Sequence, residues 1–159
     1  MGTRESDEQE ATLKAENSSH FPSSIRFAVP FNSSQNPLPL RHAINDSLQI
    51  VGTSQNSSGS WRAFIAAPDS AITASGDLGV GAANAINSSG EVVGLGGGQG
   101  FIWTSASGRR TLMSLVPSGS GWNSLDSGEA INDNGVIVGY GYMQVGQGYQ
   151  LHGFRLTPP

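Results

Sequence analysis

The chain has no cysteine, a single lysine (Lys14), 13% charged residues and no apolar run approaching a membrane span. Each shortage excludes something. Without cysteine there are no disulfides and no thiolate metal sites. Without a cluster of basic residues nothing can neutralise a run of phosphates, so nucleic acid is not an expected partner. Without a stretch of about 20 apolar residues, no membrane insertion is expected. The sparse charge gives long surface helices little to work with. The N-terminus lacks the basic-then-apolar pattern of a secretion signal, because residues 1–16 hold five acids against Arg4 and Lys14. Seven acids and six arginines follow, so the body of the chain is close to neutral.

What is present is glycine, 22 of them, among many serines and asparagines, the composition of short strands joined by turns. Residues 1–20 are polar and lack hydrophobic periodicity, which predicts a flexible acidic leader before one β-repeat domain over 21–159. Within that domain one phrase recurs: "AINDSLQIVG" at 43–52, "AINSSGEVVG" at 85–94 and "AINDNGVIVG" at 130–139. A short apolar strand meets a polar turn and then a Val/Ile-rich strand. Asn first and Gly fourth suit a type I turn followed by a left-handed residue, so Asn45, Asn87, Gly90, Asn132 and Gly135 are expected turn residues. In the first copy Leu48 stands where glycine is wanted. Left-handed leucine costs about 1–2 kcal/mol, so that turn is expected to be reshaped.

A second element closes each unit with a phenylalanine strand: "WRAFIAAP" at 61–68, "GFIWTS" at 100–105 and "LHGFRLTP" at 151–158. The extra segment "IRFAVP" at 25–30 precedes the first unit. The phrase starts at Ala43, Ala85 and Ala130, a spacing of 42 and then 45 residues, which is the length of one β-propeller blade. The reading is therefore all-β: three propeller-like units, about 41–68, 82–105 and 128–158, plus the N-terminal strand. The three hairpins, each covered by its phenylalanine strand, are expected to share one apolar interior. A closed propeller needs about four blades, so the ring is expected to be open or partial. Its exposed sheet edges then invite homo-oligomerisation.

The hairpin phrases and the strands "RAFI", "GFIW" and "HGFRLTP" together resemble the HAF-repeat family, whose namesake strand is His-Ala-Phe. Here that triplet reads Arg62-Ala63-Phe64, Gln99-Gly100-Phe101 and His152-Gly153-Phe154. The resemblance spans roughly 25–158 and implies an extracellular or cell-surface bacterial repeat protein with a propeller-like β fold. It implies a location more than an activity.

Chemistry is thin. His42 or His152 with Asp46 or Asp133 could supply part of a Ser-His-Asp site, but no nucleophile-elbow motif accompanies them. "NDNG" at 132–135 offers one aspartate where a calcium loop needs several acids, so no metal site is expected. "GLGGGQG" at 94–100 fits neither a dinucleotide fingerprint nor a Walker loop, and reads as a mobile or closely packed strand connection. Five Asn-x-Ser sequons, at Asn17, Asn32, Asn45, Asn56 and Asn87, arise from composition. The aromatic cluster Trp122, Tyr140, Tyr142 and Tyr149 in the last unit is the one expected ligand-binding feature. The functional expectation is a non-catalytic module without cofactor, structural or binding a protein or glycan. A hydrolase of extracellular polymers and a calcium-dependent adhesin are the alternatives.

Overall fold

A computed structural model describes residues 40–68 and 76–157. The expected leader (1–20) and the extra strand (25–30) lie outside the described residues. Those described form three antiparallel sheets, none closed on itself, in each of which sequence neighbours pair. Sheet one holds β1 (Leu40–Ile44), β2 (Ile50–Gln55), β3 (Trp61–Ala66) and β4 (Asp77–Val80). Sheet two holds β5 (Ala82–Ile86), β6 (Val92–Gly96), β7 (Gln99–Thr104) and β8 (Gly108–Thr111). A 3₁₀ turn, Leu112–Leu115, leads to sheet three, with β9 (Trp122–Ile131), β10 (Ile137–Val145) and β11 (Gly148–Leu156).

The three recurring phrases are the hairpins β1–β2, β5–β6 and β9–β10, and the phenylalanine strands are β3, β7 and β11. Two features exceed the expected units. Sheets one and two each gain a fourth strand, β4 and β8, whose sequences DLGV and GRRT carry no clear apolar alternation. Strand β9 begins at Trp122, well before residue 128.

The turns form as the Asn-x-x-Gly pattern requires. Gly90 and Gly135 take φ of 77° and 73° and donate their amides to the carbonyls of Asn87 and Asn132 at 3.0 and 2.9 Å. The first turn is not reshaped, contrary to expectation. Leu48 itself adopts φ 59° and donates to the Asn45 carbonyl at 2.9 Å. The strain is offset by the Asn45 carboxamide, whose Oδ1 accepts from the amides of Ser47 and Gln49 while Nδ2 donates to Gln49 Oε1. The same Asx geometry recurs unannounced at Asn56, whose Oδ1 accepts from the amides of Ser58 and Ser60 in the β2–β3 turn. "GLGGGQG" becomes a tight hairpin, with Gly97 and Gly98 at φ 68° and 76° between the paired Gly96 and Gln99. Two positive φ values in a two-residue loop match the twist of the flanking strands.

Alternation along the strands explains how the sheets pack. Val92 and Val93 are neighbours, both fully buried, and point to opposite faces. Val92 and Phe101 pack with Val51, Ala63 and Leu78 of sheet one, while Val93 and Ile102 pack with Leu125, Ile137 and Phe154 of sheet three. Sheet two is thus apolar on both faces and lies between its neighbours. Phe64 joins a third cluster with Ile50 and Ala66 on the far face of sheet one. The three phenylalanines are buried, but they do not share a common interior: each lies in a different layer. A sheet whose both faces are apolar cannot bury them by wrapping round a single core, so the layers stack.

Arg109 of β8 clasps sheets one and two. Its guanidinium donates to the carbonyls of Leu78 and Val80 in β4 and of Gly96 in β6, and lies 3.9 Å from the Phe101 ring centroid. Gly79 and Gly96 leave it room, since a Cβ at either would come within 2.8 Å of its nitrogens. The desolvation of this cation lowers its pKa, with a smaller contribution from the charge of Arg62.

Replacing Leu48 with Gly should relieve the left-handed strain and stabilise the chain by about 0.5–1 kcal/mol, after allowing for some lost side-chain burial. Urea midpoints of parent and variant check this; a lower midpoint for Leu48→Gly would contradict the strain.

Candidate functional site

The residues that connect the sheets are those of the recurring turns. Asn45 Nδ2 donates to the Asn87 carbonyl at 3.0 Å, and Asn87 Nδ2 donates to the Asn132 carbonyl at 3.1 Å. Each carboxamide therefore does two jobs. Its oxygen holds its own turn, as Asn87 Oδ1 holds the Glu91 amide at 2.9 Å, and its nitrogen reaches the same asparagine one unit on. Asn45 and Asn87 are accordingly buried, whereas Asn132 is exposed and its Nδ2 has no partner among the described residues. Burial and bonding also close the sequons at Asn45 and Asn87 to glycosylation in the folded chain.

Parallel rungs flank this ladder. His42 Nδ1 donates to the Ala83 carbonyl at 2.8 Å; the acceptor can only accept, so Nδ1 carries the proton. One unit later Asn84 donates to the Gly128 carbonyl at 3.0 Å and to Ser127 Oγ at 3.1 Å. Ser88 donates both its amide and its hydroxyl to Asp133 Oδ1, at 2.9 and 2.7 Å. These two hydrogen bonds, the amide first, hold the Asp133 carboxyl below its usual range. Asp77 is also lowered: burial pushes it up, but the hydrogen bond from Arg62 (2.8 Å), the Gly79 amide and the Arg62 charge outweigh that. The histidines and aspartates considered for a Ser-His-Asp site are not brought together. His42 and Asp133 are engaged in these rungs, Asp46 is exposed in the first turn, and His152 is exposed on β11 opposite Gly141. No group of three or more His, Asp or Glu that could hold a metal occurs among the described residues.

The aromatic residues divide between two faces of sheet three. Val138, Tyr140 and Tyr142 alternate along β10, and their partners on β11 are Arg155, Gly153 and Leu151, with Tyr149 opposite Gln144. Paired residues share a face, so these side chains form one surface turned away from sheet two. Tyr140 is 39% exposed, Tyr142 41%, Tyr149 58% and Leu151 58%. Trp122 sits on the other face. It pairs with Met143 and meets Phe154 edge-on, with ring centroids 6.0 Å apart and planes at 82°. Trp122 therefore does not join Tyr140 and Tyr142 in one platform. It meets Tyr149 only at the end of the sheet, in a cleft of about 350 Å³ that Gly119, Gly121, Asn123 and Gln144 also line.

Sequence alone does not point to Arg109, Ser88 or Asn84, and it points to His42 only as part of a Ser-His-Asp site, not as a rung between sheets. The asparagines were seen as turn formers only; their 42- and 45-residue spacing was the signal that they also meet one another. Comparison with family models, curated proteins and solved structures returned no match. No helix among the described residues is long and apolar enough to cross a membrane.

Asn87→Ala should cost about 3 kcal/mol, because it breaks its own turn and the link to Asn132 and strands buried partners. Asn132→Ala, which breaks only an exposed turn, should cost about 1 kcal/mol. Equal losses in chemical denaturation would contradict the ladder. Because the carboxyls of Asp77 and Asp133 are lowered in the folded chain, their contribution is present above the ordinary carboxylate range. It is lost as pH falls below about 4, through the lowered folded values. Melting temperatures followed from pH 6 to 2 should fall less steeply for Asp133→Asn than for the parent, and identical slopes would contradict the assignment.

Proposed function

We propose that the chain is a non-catalytic β-repeat module, extracellular as its HAF-type phrases imply, that contacts a protein or glycan through its third sheet. Supporting a propeller-like arrangement are the four-stranded meanders of sheets one and two, each ordered as in a blade, and the single residue, Gly81, between them. The observation that carries the binding role is the outward surface of sheet three. Val138, Tyr140, Tyr142, Tyr149 and Leu151 stand exposed together on it, with Arg155 as the charge at its edge. Contiguous exposed apolar surface with polar tips is the composition of contact sites, because tyrosine supplies area at little entropic cost and a hydroxyl for registration.

The glycan reading is favoured by the cleft at the end of that sheet. Two aromatic side chains, Trp122 and Tyr149, line it with the carboxamides of Asn123 and Gln144. Aromatic surface suits the C–H face of a sugar, and carboxamides both donate to and accept from its hydroxyls.

The full chain applied to a glycan microarray should retain neutral oligosaccharides, and Tyr149→Ala should weaken retention about tenfold, the value of one lost aromatic contact. A blank array, or retention unchanged in Tyr149→Ala, would remove the glycan reading without bearing on protein contacts of the outward surface.

A further inference from the structure

The outward surface of sheet three repeats, at two central positions, the surfaces that sheets one and two present to their successors. Val138 stands where Val51 and Val93 stand, and Gly153 where Ala63 and Gly100 stand. In the contact between sheets two and three, the backbone of β9 lies directly on Gly100. A Cβ there would be 3.0 Å from the Leu125 carbonyl oxygen and 3.1 Å from the Ser127 nitrogen. Gly128 in turn sits on Val93, with 2.9 Å between its would-be Cβ and that of Val93. At Gly153 the same seat is unfilled among the described residues: the nearest of their atoms to a Cβ is the Gly139 oxygen at 3.7 Å, within its own sheet. The ladder is open at the same end, with Asn132 Nδ2 unpartnered among the described residues.

We propose that this face docks one further β-sheet unit of the same repeat design. The inference rests on the binding-module reading and names the protein that the third sheet contacts. The two internal sheet contacts are the template. They require a small residue over the valine and glycine, as Ala83 and Gly128 provide, and a main-chain carbonyl for the asparagine Nδ2. Two departures state what distinguishes the partner. Glu129 stands where His42 and Asn84 donate, but its Oε1 accepts within this chain from Ser127 Oγ and from Asn84 Nδ2 at 3.5 Å, so this position donates nothing to the partner. Arg155 stands where Ile65 and Ile102 stand, so the partner presents a carboxylate opposite it. A second copy of this chain does not meet the requirement. The surface it would bring is that of sheet one, where Ile50 and Phe64 are already buried.

The test extends the full chain with a second copy of residues 82–111, joined after Thr157 by a flexible Gly/Ser linker of about 20 residues. Such a linker holds the added unit at an effective concentration on the order of millimolar. The NMR signal of the Asn132 side-chain amide should shift and exchange more slowly. Nitration of Tyr140 and Tyr142, read by mass spectrometry, should fall at least about threefold, which is a modest occupancy at that concentration. Gly153→Val in the extended chain should abolish both effects by filling the seat. Glu129→Asn with Arg155→Ile, which restores the residues of sheet two, should strengthen them. An Asn132 amide and nitration pattern identical to the parent even in that double variant would overturn the proposal, as would docking that survives Gly153→Val. The unextended chain should run as a monomer in light scattering. A doubled mass that Tyr140→Glu returns to monomer would give the face to a second copy and overturn it equally.

Discussion

The interaction on which the structure depends is a carboxamide used from both ends. Asn45 and Asn87 each spend their oxygen on the turn that contains them and their nitrogen on the next asparagine's carbonyl. A turn that is well formed is thereby also placed against its neighbour, and local conformation is coupled to sheet packing. Aspartate could hold the turn but offers no N–H to the next unit, and serine is too short to do both. This dual requirement accounts for asparagine at positions 45 and 87, while the residue after the turn asparagine varies between Asp46, Ser88 and Asp133.

Burial supplies the bulk of the stability and the ladder supplies its register. Val92 with Phe101 and Val93 with Ile102 give sheet two an apolar layer on each side, of the kind that stabilises by roughly 1.5–3 kcal/mol per fully buried side chain. Such layers slide easily because valine meets valine in several registers. The asparagine rungs, the His42 and Asn84 rungs beside them and the three carbonyls held by Arg109 are directional, and permit one alignment. Sheet three carries the same valine and asparagine outward as Val138 and Asn132. There the polar and apolar halves of the contact have no counterpart among the described residues.

Much of this was legible in the sequence because turn chemistry is local. Asn-x-x-Gly followed by alternating Val and Ile states a hairpin, and three copies at 42 and 45 residues state equivalent units. The aromatic cluster was legible only in part. Tyr140 and Tyr142 are two apart on one strand and share a face by the period of the strand alone, but Trp122 belongs to a strand whose register carries irregularities, and the bulges decide its side. Strands β4 and β8 were not legible, since DLGV and GRRT are held by pairing and by the Arg109 clasp, not by their own propensity. Leu48 shows the converse: its aversion to the left-handed conformation predicts a reshaped turn, but the hydrogen bonds that Asn45 makes around it hold the turn in the common form.

The most direct measurement of the central claim is through-hydrogen-bond scalar coupling by NMR, from the side-chain nitrogens of the turn asparagines to main-chain carbonyl carbons. Asn45 Nδ2 should correlate with the Asn87 carbonyl and Asn87 Nδ2 with the Asn132 carbonyl, while Asn132 Nδ2 shows no correlation and exchanges with solvent. Side-chain amides at Asn45 and Asn87 that exchange as fast as that of Asn132, with no correlation between units, would contradict the account.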